Sequence, residues 1–457
     1  MSEPVPGPAT PIHSVDELVA HLAAGAKPRD AWKVGTEHEK FGVREEDGLP
    51  IPYDGERGVE RVLAGLAARY DWERVEERGR VIALRRGGAT VTIEPGGQLE
   101  LSGVAFPSVH ATCPEITEHL REVKEVSAGL GVRWLGVGFH PLATREQMPW
   151  MPKRRYEIMR AWMPRVGTRG LDMMVRTCTV QANFDHGGEA DAVRKMRTAM
   201  GVTSIITAMF ASSPLVEGRD SGFQTYRAWC WRDTDNARSG LLRNVFQGSF
   251  GFAAYVEWAL DVPMYLVRRG DQLIDMTGTP FRAYLEGRAP GADGLTPTIA
   301  DWEIHLTTLF PEVRLKTYIE VRGADAGAHG MNCALPALWK GILYDDQALD
   351  DAWSLVSGWT FDERVTLADA VCKLGLRAPL PGGRGTTLDH ARALLAVSRA
   401  GLQRQASRNS SGEDEARWLR PLEERIARGV SASDDLLARW SGEMQQDPRR
   451  LVDALAY

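Results

Sequence analysis

The chain has 457 residues and 43% hydrophobic content, enough to bury a sizeable core in one large domain or a core with an appendage. Its formal net charge of −6 is mild, which argues against a nucleic-acid surface as its main function. No apolar run reaches the roughly 20 residues that a bilayer span needs. The opening residues MSEPVPGPATPIHS lack a basic stretch followed by an apolar one, so no secretory signal is read and the chain is expected in the cytoplasm, away from membranes.

Residues 1–13 carry four prolines and are expected to be flexible. A helix should begin at Ser14, because Ser14 and Glu17 have capping-box spacing and Val15, Leu18, Val19 and Leu22 share one face. Helices are also expected over 59–70, 114–129 and 189–210, the last becoming fully apolar towards its end. Strand character appears at 33–43, at 81–86 and 90–93 as a hairpin turned at Gly87-Gly88, and at 134–139, 176–184, 263–268 and 317–322. This mixture predicts an α+β domain over 14–335 with a mainly antiparallel sheet. From 336 to 457 the pattern is almost wholly amphipathic helix, broken at 379–383 and 407–412, and is read as a helical C-terminal region packed on the same domain.

Four segments carry candidate chemistry. In WKVGTEHEKFGV, Glu37 and Glu39 point to one strand face and Thr36, His38 and Lys40 to the other. Two carboxylates so close repel, and a hard cation such as Mg²⁺ would reverse that cost; a lone Glu-x-Glu is more often a solvated face. In VTIEPGGQLELSG, Glu94 and Glu100 have one parity, and Pro95-Gly96-Gly97 marks a bulge or a close backbone approach. In RTCTVQANFD, Thr177, Thr179, Gln181 and Asn183 form a neutral polar face, either a cleft floor or a hydrated surface, with Cys178, Val180, Ala182 and Phe184 turned to the core. In RLKTYIEVRGAD, Tyr318, Glu320 and Arg322 share a face, where Glu320 and Arg322 form either a simple salt bridge or a cation ligand beside a phosphoryl-binding arginine.

Arginines elsewhere suit substrate carboxylates: MPKRRYEIMR holds Lys153, Arg154, Arg155 and Arg160, most simply a basic surface helix, and Arg227 lies among aromatics in GFQTYRAWCWRDTD. There is no GxxxxGK[ST] loop, no complete dinucleotide fingerprint, no HExxH and no GxSxG, so a nucleotide would have to be held through carboxylate-bound metal. The five cysteines, Cys113, Cys178, Cys230, Cys333 and Cys372, form no CxxC, and each is by default a buried free thiol.

Taken together, GTEHEKFG, IEPGGQLELSG, GVGFHP, MPKRRYEIMR, MPRVGTRGLDMMVRTCTVQANFD, WRDTD, ALDVPMY, HLTTLFPEVRLKTYIEVRGAD and CALPALWKGILYDD closely resemble the plant-type glutamate–cysteine ligases, from about Ser14 to Tyr457. The resemblance implies a cup-shaped, mainly antiparallel sheet of the glutamine synthetase and carboxylate–amine ligase type. It implies ATP-dependent joining of the glutamate γ-carboxyl to the cysteine amine through γ-glutamyl phosphate, which begins glutathione synthesis, with Mg²⁺ as Mg-ATP. By position, Glu37, Glu39, Glu94, Glu100 and Glu320 are similar to that family's metal ligands. Arg155 and Arg227 match its glutamate clamp, Gln181 and Asn183 its polar substrate-binding residues, and Arg322 with Glu320 its phosphate-stabilising catalytic pair. The partners implied are L-glutamate, L-cysteine and ATP, with feedback restraint by glutathione; monomer and homodimer both stay open. The resemblance also implies a redox-sensitive disulfide between Cys113 and Cys333, set against the free-thiol default. The family's second cysteine pair has no counterpart in 271–294. A related ligase that joins glutamate to another amine is the alternative.

Overall fold

The computed structural model describes residues 9–292 and 294–457. Of the segment expected to be flexible, 1–8 lie outside the described residues; in the remainder, Pro11 bridges to Thr298 and Ile12 is buried.

The centre of the molecule is a nine-stranded sheet. Its strands are Val34–Arg44 (β1), Glu73–Glu77 (β2), Arg80–Arg86 (β3), Ala89–Ile93 (β4), Leu99–Ser102 (β5), Val132–Leu135 (β6), Thr179–Phe184 (β7), Val313–Leu315 (β8) and Ile319–Asp325 (β9). They run in the order β8-β9-β7-β1-β5-β4-β3-β2, with β6 beside β1, and every pairing is antiparallel. The first half of β1 lies between β5 and β7, and its second half pairs with β6. β1 is therefore buried on both faces over Val34–Val43 rather than presenting a solvated side.

Helices of the first half are Val15–Ala23 (α1), Val59–Tyr70 (α2), Val109–Ser127 (α3), Arg154–Val166 (α4), Gly170–Arg176 (α5), Glu189–Met209 (α6) and Tyr226–Trp231 (α7); His329–Leu343 (α8) opens a run of C-terminal helices. One apolar core joins Val34, Val180, Ala182, Phe184 and Ile319 of the sheet to residues of α3, α6 and α8 and to Leu394, Leu402 and Leu422 far along the chain. The expected boundary at 336 falls inside α8, which carries Pro336 in its interior. Among the described residues no helix is long and apolar enough to cross a membrane.

Several local expectations shift for physical reasons. Ser14 does not cap α1 with its side chain; instead Glu17 Oε2 accepts the His13 N–H at 3.1 Å. α3 begins five residues before 114 because Ser108 Oγ accepts the His110 N–H at 3.0 Å while Glu415, from the C-terminal region, accepts the Val109 N–H at 2.6 Å. The strand expected over 176–184 starts only at Thr179, since α5 runs to Arg176 and Thr177 is its C-terminal cap. Pro95-Gly96-Gly97 is neither a bulge nor a kink within one strand. It is a hairpin turn: the Glu94 N–H donates to Gln98 O at 2.8 Å, the Gly97 N–H donates to Glu94 O at 2.9 Å, and Gly97 has φ +84°. The close backbone approach read from the sequence is real, because a Cβ on Gly96 would stand 2.2 Å from the carbonyl oxygen of Val175.

Gly96→Ala must therefore push the β4–β5 turn away from α5, at a cost of about 1–3 kcal/mol. Gly129→Ala, where nothing lies within 4 Å of the added carbon, is the control. Urea midpoints for the two variants test this, and equal stability would show that the turn is not pinned there.

Candidate active site

The register of the sheet gathers the acids. Glu39 of β1 sits directly opposite Glu100 of β5, which in turn faces Thr92 of β4. Glu37 faces Gln181 of β7, and Glu320 of β9 faces Asn183 of the same strand. The turn at 95–97 returns the chain so that Glu94 lies on the same face as Glu100. All five predicted carboxylates are thus on one sheet face, each at least nine-tenths buried.

Their hydrogen bonds differ. Asn183 Nδ2 donates to Glu37 at 3.1 Å, the Thr179 N–H donates to Glu39 at 2.8 Å, and Ser102 Oγ donates to Glu100 at 3.0 Å. These do not offset the crowding. Burial, with Glu100 and Glu94 alongside, pushes the Glu39 carboxyl up to about 8. Burial, then Glu320 and Glu100, likewise raises Glu37. Among the described residues no three His, Cys, Asp or Glu side chains are grouped closely enough to hold a metal ion as they stand. The donor set nevertheless fits a hard divalent cation: it is all-oxygen and buried, and at Glu37 and Glu39 burial and like charges raise the carboxyl, a cost that such an ion would offset.

Glu320 has the opposite surroundings. Arg314 forks it, Nη2 donating at 2.6 and 2.8 Å and Nε at 3.2 Å, while Lys316 Nζ stands 3.1 Å away and Arg322 also donates to it. Burial pushes this carboxyl up, but Arg314, Lys316 and Arg322 outweigh that and hold it well below the usual range. Arg322 also donates to Gln181 Oε1 at 2.5 Å. Arg314 and Lys316 were missed in the sequence because Leu315 to Ile319 was not read as a hairpin; that hairpin places Arg314 directly across from Glu320.

A cavity lies over this face, lined by Glu39, Glu94, Gln181, Arg227 and Arg322 on its charged side. A second cavity beside it shares Arg227 and Arg322. Arg227 is buried, donates to the carbonyls of Arg322 at 3.0 Å and Gly323 at 3.4 Å, and among the described residues its Nε has no partner. Arg155 is buried in α4, one turn before the cavity-lining Met159, and reaches Thr307 Oγ1 at 3.4 Å rather than the cavity wall itself. The basic-surface reading of MPKRRYEIMR holds for Arg160 but fails for Lys153 and Arg155, which face inwards. Away from the site, Cys113 of α3 and Cys333 of α8 form a disulfide with Cα atoms 5.5 Å apart, whereas Cys178, Cys230 and Cys372 are free and buried.

The model of glutamate–cysteine ligase family 2 (GCS2) matches residues 33–454. Glutamate–cysteine ligase B, chloroplastic, of Oryza sativa subsp. japonica is 45% identical over 442 residues, covering 97% of this chain and 87% of that protein. The chloroplastic glutamate–cysteine ligase of Arabidopsis thaliana is 45% identical over 443 residues, covering 97% of this chain and 83% of the relative. Among solved structures, a glutamate–cysteine ligase from Francisella tularensis in complex with AMP superposes with a TM-score of 0.53 at 13% identity, covering 93% of this chain and 89% of that one, a likeness of fold. The chain belongs to glutamate–cysteine ligase family 2 and is a ligase, with the α+β antiparallel-sheet fold expected of it. The cytoplasmic expectation is corrected: these relatives are chloroplastic proteins. It had rested on the missing signal pattern, which says nothing of where relatives of this sequence reside.

The uncompensated charge on Glu39 has a measurable consequence. Its folded pKa is raised, so the folded state binds the extra proton and stability falls as pH climbs from 4.5 towards about 8. Without divalent cations at pH 8–9, Glu39→Gln should be more stable than the natural protein by about 1–3 kcal/mol, with the gap closing at pH 5. Added Mg²⁺ should raise the melting temperature of the natural protein and scarcely affect the variant. A variant less stable at every pH would mean that Glu39 is balanced by the protein alone.

Proposed function

We propose that this chain couples the γ-carboxyl of L-glutamate to the amine of L-cysteine, driven by ATP, as the first step of glutathione synthesis. The observation that carries the reading is the buried row of Glu37, Glu39, Glu94 and Glu100, continued by Glu320, beside two arginines that border one cavity. A carboxylate does not react with an amine near neutral pH, so it must first be activated as an acyl phosphate.

The five glutamates are the residues that would hold Mg²⁺, and when bound that ion supplies charge neutralisation for the nucleotide phosphates. Mutual repulsion sorts the acids into two groups that share Glu100: Glu39 with Glu94 and Glu100, and Glu37 with Glu320 and Glu100. Arg227, at the cavity wall, grips the glutamate carboxylate by paired N–H donors, and Arg155, set back in α4, turns from Thr307 to join it. Arg322, held in place by Glu320 and Gln181, meets the negative charge that spreads over the transferring phosphoryl group. Attack of the γ-carboxylate on the terminal phosphorus gives γ-glutamyl phosphate and ADP. The cysteine amine then attacks the acyl carbon, phosphate leaves, and the amide forms. The buried cavity walls keep water from intercepting the acyl phosphate.

Release of ADP with glutamate, cysteine and Mg-ATP should be matched by γ-glutamylcysteine. Arg322→Gln should lower kcat by roughly 10²–10³-fold, and Glu39→Gln by at least as much, while both keep the natural circular dichroism spectrum. Equal or better turnover with another amine in place of cysteine would defeat the acceptor assignment; unimpaired turnover by both variants would mean that the site lies elsewhere.

A further inference from the structure

The β9 strand is irregular where it passes the site. Its register against β7 shifts between Val321 and Ala324, so Arg322 and Gly323 form a bulge. Both bulge carbonyls turn to Arg227, whose Nη2 donates to Arg322 O at 3.0 Å and Nη1 to Gly323 O at 3.4 Å. Two residues on, Asp325 ends the strand with a buried carboxylate that lines neither of the two cavities at the site. Its Oδ1 accepts the Thr225 hydroxyl at 2.9 Å; its Oδ2 accepts the Ser213 hydroxyl at 2.6 Å and the Ser212 N–H at 2.9 Å. Oδ1 also stands 3.8 Å from Arg227 Nη1. We propose that Asp325 is the positioning residue for Arg227, holding the start of α7 and the guanidinium so that the Nε edge stays turned to a substrate carboxylate. The inference rests on the reading of Arg227 as a grip for glutamate and adds to it the group that keeps the grip in place.

Three observations support it. First, the hydrogen bonds of Asp325 lead into the first turn of α7. A hydroxyl has one proton to give. Ser213 gives its proton to Asp325 and accepts the Arg227 N–H at 3.2 Å; Thr225 does the same and accepts the Ala228 N–H at 3.2 Å. The acid thereby fixes both hydroxyls as acceptors for the backbone that carries the arginine. Second, the ion pair is offset rather than forked. Glu320 takes Arg314 through Nε and Nη2 at 2.6 to 3.2 Å, which leaves that edge of Arg314 nothing to offer a ligand. Asp325 approaches Arg227 from the Nη1 side, and among the described residues Arg227 Nε has no partner, so the edge needed for a paired grip stays available. Third, space for the acid is reserved opposite α7, where a Cβ on Gly138 would stand 2.4 Å from the Asp325 Cγ. A carboxylate buried this fully is costly unless donors and a cation face it. Its donors come from residues 212, 213 and 225, and the cation is Arg227 itself. An arginine held from behind before substrate arrives loses less freedom when it closes on a carboxylate.

The test compares Asp325→Asn, Arg227→Gln and the double variant in steady-state ligation. Asn keeps the size of the side chain and removes its charge. Asp325→Asn should raise the KM for glutamate by about tenfold, with kcat and the KM for ATP within about threefold, because a grip made alike in the ground and transition states is weakened. In the Arg227→Gln background the same change should add a factor of no more than about two. A purely structural role predicts that the full factor appears again in that background, and this result overturns the inference. An unchanged glutamate KM in Asp325→Asn beside a raised one in Arg227→Gln overturns it as well and leaves the ligase reading intact. If both variants raise the KM for cysteine in place of glutamate, the glutamate clamp is wrong and Asp325 still positions Arg227. Should Asp325→Asn fail to fold, Thr225→Val, of nearly equal size, cuts the link from the acid to α7. A glutamate KM raised by about threefold or more then supports the inference, and an unchanged one overturns it. Absence of ligation by the natural enzyme with any amine overturns both readings together.

Discussion

The molecule is organised around an arrangement that is unfavourable by itself: two carboxylates, Glu39 and Glu100, placed directly across adjacent strands and both buried. Like charges at such positions repel, and burial raises the cost further because little dielectric screening remains. A fold keeps this arrangement only if strand pairing and packing enforce it. The antiparallel hub at β1 does so, with β5 and β7 hydrogen-bonded on its two edges and helices closing the far face. That far face carries polar groups of its own. Lys40 lies under the acidic row, donates to Leu99 O at 3.2 Å and meets His119 Nε2 at 3.0 Å. Burial, Lys40 and His329 keep the imidazole of His38 neutral.

Glu320 shows how one residue type on one face can hold two different roles. Its neighbours Arg314, Lys316 and Arg322 bring a local excess of positive charge, and its carboxylate is the most firmly ionised of the set. Glu39, two strands away, has no side-chain cation bonded to it among the described residues and is reluctant to ionise. The function proposed above, with cations and phosphates in one site, needs this asymmetry: one end hungry for positive charge, the other already supplying it. Arg322 belongs to both ends, since its guanidinium bonds Glu320 and Gln181 and also borders the cavity.

Much of the site was legible because strands convert sequence spacing into shared faces. The parity of Glu37 with Glu39, and of Gln181 with Asn183, carried straight into the sheet. At Pro95-Gly96-Gly97 the close backbone approach held and the bulge alternative did not, because a bulge and a three-residue turn use the same residue types and only the pairing of Ile93 with Leu99 distinguishes them. The inward turn of Arg155 and Lys153 was hidden because an arginine-rich helix start looks alike whether it meets solvent or a charged cleft. The Cys113–Cys333 bond joins residues 220 apart, and nothing local in either segment pairs them; the family resemblance alone did so.

The C-terminal helices place no predicted catalytic side chain on the acidic face, yet the geometry of that face depends on them. Glu415 caps the start of α3 through Ser108 and Val109, and its other oxygen takes Lys340 of α8 at 2.5 Å. The disulfide fastens the same two helices one turn further along. α3 then presents His119 to Lys40 beneath β1, one residue from Glu39. A helix that slid or rotated there would leave a buried lysine with one carbonyl as its partner, and β1 would have to move to relieve it. The long helical tail therefore acts as the backing plate of the sheet: it fixes the inner face so that the outer face can hold charges that would otherwise drive the strands apart.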